Sequence, residues 1–446
     1  MFNPGKVYFK QVFRMLIAVL VLAMAFLAGC QGLSYLDAAI AETEALAEAT
    51  PTLAQDEQEE TPTPQATATA APLNYRLTVW VSPQFNPNDQ NPAAQLLAAQ
   101  FKTFTAQYPE VSLDIRVKAA SGAGSILDTL DYASQVAAEA EPDLVLLSRA
   151  DMEIAAQKGL LQPIEEVSST IDESDWYAFT QSMGIFQGTV YGIPLAADAL
   201  GLVYRGAFFS NPQPDWANVN AQIDGLVFPA GDPTALTSLA IYLSAGGALQ
   251  DAQGQAFINT ESLTQTLQIY ENGLKSGLVS AKLLDLQNED QAWESFQNSA
   301  SEGIITWTSR QLQDTTGLKL AQLPSLGETS FTLAKGWMWC LVAKDQKEKE
   351  YASLLVEHLV DPEFLADWAP TSGYLPVRPS SLAAWGNPAL QDTLGKILDS
   401  SQVRPNPNQI TSLSSSIKTA VQEVLSGQSE SADSAKKAAD SLEVVE

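Results

Sequence analysis

The sequence predicts an α/β protein whose body divides into two lobes, each a mainly parallel sheet flanked by helices. Three observations carry that expectation. Strand-length apolar runs alternate with helix-spaced apolar patterns, as a parallel sheet with crossover helices requires. The chain has 446 residues, too many for one ordinary core. One long apolar stretch, YGIPLAADALGLVY at 191–204, is expected to carry the chain from one lobe to the other.

The first thirty residues form a separate segment. Lys6, Lys10 and Arg14 make a basic leader, an apolar run follows from Met15 to Phe26, and small residues precede Cys30. That is the pattern of a secretory signal, expected over 1–29. Leu27, Ala28, Gly29 and Cys30 resemble the lipobox of bacterial lipoproteins, which implies lipidation at Cys30 and attachment to a membrane through the lipid. From Gln31 to Pro72 come eight acidic residues, no basic ones and the run TPTPQATATAAP. Such a stretch buries too little apolar surface to offset its ordering entropy, so residues 30–72 are expected to be a disordered acidic tether.

In the folded body, RLTVWVS (76–82) reads as a strand ending at Pro83. Asn91-Pro92 reads as a helix cap with proline in the first turn, and Leu96, Leu97, Phe101 and Phe104 follow at helical spacing. Val111 to Val117 resumes as a strand, and SGAGS (121–125) opens another helix. SGAGS lacks the lysine and spacing of a phosphate loop, so an ordinary helix entry is expected. DLVLLS (143–148) is a strand buried on both faces. Ligands of such sheets sit beyond the carboxyl ends of the strands, which makes Ser82, Ser148 and Arg149 candidates.

Composition excludes several function classes. The formal charge is −28, with 24 Lys and Arg against 52 Asp and Glu, which argues against a nucleic-acid-binding surface. Two cysteines, Cys30 and Cys340, and one histidine, His358, supply neither a disulfide framework nor a thiolate or histidine metal site, so no metal or cofactor is expected. Cys340 lies in GWMWCLV and reads as a buried thiol.

The ordered segments FKTFTAQYPEVSLDI, AEPDLVLLSRADMEIAAQKGLLQPIEE and YGIPLAADALGLVY resemble the extracellular solute-binding proteins of bacterial ABC importers, in their sugar-type group. GLKSGLV, WESF followed by EGIITW, GWMWCLV and the turn Gly373-Tyr374-Leu375-Pro376 extend the likeness, which covers about Leu73 to Gly427. It implies a periplasmic-binding-protein-like fold with lobe 1 at 73–192 plus 303–336, and lobe 2 at 193–302 plus 337–446. It also implies a monomeric receptor that delivers a mono- or oligosaccharide from an interlobe cleft to an ABC permease, without turnover. A secreted carbohydrate-active hydrolase, or a receptor of the same scaffold for a carboxylate or cationic solute, are the alternatives.

A sugar presents hydroxyls and C–H faces, so its site needs polar groups and aromatic planes. Trp80, Trp307, Trp337 and Trp339 fall near expected strand ends, where core packing and ligand stacking are both open readings. The resemblance implies that the loops after the strands carrying Trp307 and Trp337 line the cleft, with Tyr374 a third aromatic. It also implies that Asp198 binds hydroxyls; a turn cap is the other reading. Trp337 and Trp339 are expected on one side of their strand and Met338 on the other. Arg310 is a lesser candidate, and an arginine facing the cleft would favour an acidic solute.

Overall fold

In the computed structural model, residues 74–165, 174–206, 215–327, 329–408 and 410–443 are described. The expected leader, Cys30 and the 30–72 tether lie outside them. The first three strands fall where the apolar patterning places them: β1 (Tyr75–Val81), β2 (Val111–Val117) and β3 (Leu144–Ser148). Between β1 and β2 runs the helix Pro92–Gln107, whose first free N–H groups are met by Asn91: its side chain accepts from the Ala94 amide at 2.8 Å. The helix buries Leu97, Phe101 and Phe104, and each such side chain contributes roughly 1.5–3 kcal/mol of burial. The SGAGS segment is an ordinary helix entry, with Ser125 capping the helix Ile126–Val136.

The remaining strands are the hairpin pair β4 (Ile185–Phe186) and β5 (Thr189–Val190), then β6 (Ile193–Tyr204), β7 (Leu226–Val227), β8 (Gly303–Trp307), β9 (Lys319–Gln322), β10 (Thr332–Leu341) and β11 (Ser401–Val403). The main sheet runs β2-β1-β3-β10-β6-β8-β7, with β11 on β10 and β9 on β6. β1 is parallel to β2 and β3, while β10 lies antiparallel to both β3 and β6. The fold is thus α/β with two lobes sharing strands, its parallel part concentrated in the first lobe.

Two apolar cores divide the body, and their boundary corrects the expected partition. The first core takes residues from Leu77 to Ala199 and from Ala334 to Leu398. The second takes residues from Leu200 to Leu333 and from Ile410 to Ala438. The segment 303–336, expected in lobe 1, lies mostly in the second, because β8 pairs with the far half of β6, from Leu200↔Trp307 to Tyr204↔Gly303. Residues 337–399, expected in lobe 2, pack on the first core, because β10 pairs with β3 from Trp337↔Ser148 to Leu341↔Leu144. Apolar runs announce strands without announcing partners, which is why the sequence misplaced these two.

Every residue of β6 is buried, and the core boundary falls between Ala199 and Leu200. The chain returns between Leu333 and Ala334 on β10 and crosses a third time after β11. These passages lie side by side: Ala334 is opposite Ala199 on one flank and Val403 on the other. Thr332 ties them, its hydroxyl donating to the Leu200 carbonyl at 2.7 Å.

Candidate functional site

Where β6 and β10 cross between the cores, their register places Lys335 opposite Asp198, Gly336 opposite Ala197 and Trp337 opposite Ala196. The turn at Gly373-Tyr374 is bound to the same place, since Ala197 and Leu375 exchange backbone hydrogen bonds of 3.2 and 2.8 Å. Gly373 has a φ of +71°, a left-handed conformation that favours glycine at this turn. Tyr374, Trp337 and Phe85 therefore converge. Ring centroids are 4.9 Å apart for Trp337–Tyr374, 5.4 Å for Phe85–Trp337 and 5.6 Å for Phe85–Tyr374. Trp337 and Tyr374 are each half-buried, so their rings keep surface for a ligand.

Beside this cluster opens a cavity of about 350 Å³ lined by Phe85, Trp368 and Tyr374 together with Gln84, Asn86 and Gln313. The half-buried Tyr374 ring and the carboxamides suit a polyhydroxylated, uncharged group, with the buried Phe85 and Trp368 packed behind them.

On the other side of Trp337 the surroundings are charged. The Lys335 ammonium lies 3.8 Å from the centre of the Trp307 ring and 5.6 Å from that of Trp337. Its nearest carboxylate oxygen, Oδ2 of Asp198, is 3.9 Å away. Arg310 bonds Asp290 and lies over Trp293 at 5.8 Å. Glu289, the first residue of the helix Glu289–Gln297, accepts from the Thr306 hydroxyl at 3.1 Å, while its other carboxylate oxygen is buried without a partner. Burial pushes the Glu289 carboxyl up to about 7 and the Lys335 ammonium down; the Asp198 and Glu289 charges oppose the second shift. Tyr374 is pushed up to about 12, by burial first and then by the Asp198 charge.

The structure brings together Trp307, Arg310, Trp337 and Tyr374 of the expected residues. Trp307 nevertheless offers little to a ligand: it is 5% exposed, with Lys335 on its face. Asp198 is corrected. It is fully buried, and it accepts from the Thr308 hydroxyl at 2.8 Å and from the Ser309 amide and hydroxyl at 3.1 and 2.6 Å. Those bonds anchor the start of the helix Thr308–Leu312, so the carboxylate holds the site from beneath rather than facing a solute.

Ser148 lies beside Trp337 in the sheet, but it caps the helix Arg149–Gln157, its hydroxyl donating to Asp151 at 2.7 Å. Arg149 is turned inward onto Glu153 and the carbonyls of Ser182, Met183 and Ile185. Ser82 ends β1 with its hydroxyl buried and unpartnered. Trp80 and Trp339 are core residues. The slip against β6 between Trp337 and Met338 skips Leu195 of β6, while β10 keeps an unbroken register against β3, so the expected alternation holds: Trp337 meets Phe85 and Tyr374 and Trp339 meets Phe101 edge-on, whereas Met338 and Cys340 both lie against Gly192.

Sequence reasoning missed Lys335, Glu289, Phe85 and Gln84. Lys335 had one legible signal: it is the charged residue inside the apolar run TLAKGWMWCL, where a cation needs a reason to be. Glu289 had none, because a glutamate after Asn288 reads as an ordinary helix start.

A family model described as "Bacterial extracellular solute-binding protein" matches residues 99–393. No curated protein matches the chain. Among solved structures, the sugar-binding protein MalE from Xanthomonas citri aligns with a TM-score of 0.66 at 18% identity, over 82% of this chain and 96% of its own. The cyclic alpha-maltosyl-1,6-maltose binding protein from Arthrobacter globiformis aligns at 0.65 and 18%, over 83% and 98%. Maltose-bound MalE3 of T. maritima aligns at 0.61 and 19%, over 83% and 100%. At these identities the likeness establishes the fold.

Proposed function

The chain belongs to the bacterial extracellular solute-binding proteins, and on that premise we propose that it is the carbohydrate receptor of an ABC importer. The observation that carries the reading is the junction of Trp337, Tyr374 and Phe85 with a carboxamide-lined cavity beside the strands that join the two cores. Aromatic planes meet the C–H faces of a sugar, and the amides of Gln84, Asn86 and Gln313 meet its hydroxyls. The structural neighbours named above include receptors described as binding maltose and a maltosyl-maltose, which supports the same class of solute.

The work done is binding without turnover. Three adjacent strands join the lobes, a construction suited to hinge closure on a solute. A solute drives closure only by binding the closed state better than the open one, and contacts beside the hinge are where that difference arises. The closed face is then offered to a permease. Lipid at Cys30 and the 30–72 tether would keep the receptor at the extracytoplasmic face of the membrane.

Thermal-shift and calorimetric titration of the full chain against mono- and oligosaccharides tests the reading. A saccharide that raises the melting temperature, with the gain growing as the logarithm of its concentration, is expected. No response to any saccharide, alongside a response to amino acids or polyamines, overturns the carbohydrate assignment and leaves the receptor.

A further inference from the structure

Resting on the receptor reading, we infer that the solute carries a carboxylate, and that Lys335 is the residue that selects for it. The ammonium of Lys335 has three donors. Among the described residues no acceptor stands within hydrogen-bonding distance of it, and the 3.9 Å to Asp198 is ion-pair range only. Asp198 is turned mainly onto Thr308 and Ser309, which supply three hydrogen bonds to its carboxylate. The Lys335 ammonium rests over the Trp307 ring, 5.6 Å from the centre of Trp337, and the side chain is one-third exposed, so a solute can reach it. An ammonium held this way, with a carboxylate at ion-pair range and no hydrogen-bond acceptor among the described residues, has donors that a bound anion can take.

The neighbourhood points the same way. Lys335 feels the charges of Asp198 and Glu289 first and those of Arg404 and Arg310 after them, so cations from β10, the helix Thr308–Leu312 and the stretch after β11 share this place with carboxylates. In a chain with 24 basic against 52 acidic residues, that convergence beside the aromatic cluster is local design rather than general composition. The carboxylates that face them are Asp198, Glu289, Asp232 and Asp290. Asp198 is internally bonded, Asp232 is turned onto Thr234 and Leu236, Asp290 bonds Arg310, and Glu289 is pushed toward its protonated form by burial. Arg404 is held by Thr234 at 3.1 Å. Lys335 is the cation left to a solute, with the uncharged cavity next to Tyr374 taking the remainder of the molecule. The class this describes is a uronate-bearing saccharide.

The test is calorimetric titration of the full chain with di- to tetrasaccharide uronates, each against its own methyl ester, which removes the charge and keeps the shape. Simple carboxylates such as citrate and neutral maltodextrins are run beside them. The acid is expected to bind at least tenfold tighter than its ester, a preference that Lys335→Met abolishes and Lys335→Arg retains. The wild-type comparison of acid with ester decides the matter even if a variant folds poorly. Esters or maltodextrins that bind as tightly as the acids overturn the inference while the carbohydrate reading stands. Citrate binding in a Lys335-dependent way, with every saccharide silent, overturns the carbohydrate reading and upholds the carboxylate one. Silence from every carboxylate overturns the inference.

Discussion

Lys335 and Asp198 face each other across two of the strands that join the lobes, with Nζ 3.9 Å from Oδ2. One member of the pair is sealed and the other is not. Asp198 spends its oxygens on Thr308 and Ser309, whereas Lys335 projects toward the rings of Trp307 and Trp337. The strand pairing therefore carries a buried anchor on one side and a one-third exposed cation against two indoles on the other.

An anchor and a ligand group fail differently when removed. Asp198→Ala strips three hydrogen bonds from the start of the helix Thr308–Leu312 and leaves Lys335 without its nearest counter-charge. Breaking a buried pair in this way costs about 3–5 kcal/mol. Asp198→Asn keeps an acceptor and is expected to cost about 1–2 kcal/mol. Urea unfolding of the two variants checks the order. A loss of solute affinity with unchanged stability would return Asp198 to the role the sequence proposed.

Trp337 and Tyr374 are expected to carry the stacking. Trp337→Ala should weaken solute binding by about tenfold or more, the scale of an aromatic anchor, with a smaller change in stability because the ring is only half-buried. Trp307→Ala should register mainly in stability, with a smaller loss of affinity through Lys335, whose ammonium rests on the Trp307 ring. Its ring is buried in the second core, so unfolding in urea should register the loss of about 3–5 kcal/mol. Melting curves with and without solute separate the two outcomes.

Much of this arrangement could be read from the chain before its fold was known. Strand and helix alternation located β1, β2, β3 and the helix between the first two, because each element is local and its periodicity lies in consecutive residues. The aromatic residues at 337 and 374 were also legible, through the apolar run and the glycine turn that hold them. Partners were not. Whether the strand at 303–307 sits with the first or the second core depends on pairing across about a hundred residues, and no local pattern encodes it. The fate of Asp198 was hidden for the same reason, since its bonds go to Thr308 and Ser309, 110 and 111 residues away.

Glu289 makes stability depend on pH in a defined direction. Its carboxyl is pushed from an ordinary value of 4.5 up to about 7, chiefly by burial. The folded state thus holds a proton that the unfolded state has lost. Its contribution is fully present below pH 4.5 and is lost as pH rises through about 7. Glu289→Gln removes the titration while keeping an acceptor for Thr306. The stability difference, wild type minus variant, should decline between those two pH values by on the order of 3 kcal/mol and be flat outside them. A difference that is constant from pH 4 to 8 would mean that Glu289 ionises freely in the folded protein.

Gly336 sits between Lys335 and Trp337, where β10 presses most closely on its neighbours. A Cβ there would lie 2.5 Å from the Met183 sulfur and 2.8 Å from the carbonyl oxygen of Ala196. The methionine can move; the carbonyl belongs to β6 and cannot move without disturbing the pairing of the crossing strands. Gly336→Ala is therefore expected to cost about 1–3 kcal/mol as overpacking. Because the strain falls between the cation and the indole, it should also weaken solute binding by displacing Trp337 from Tyr374. Shortening Met183 to alanine in the same chain relieves the sulfur contact alone. If the double variant regains stability but not affinity, the backbone approach of β10 to β6 is what sets the geometry of the site. Recovery of both would assign the effect to the methionine.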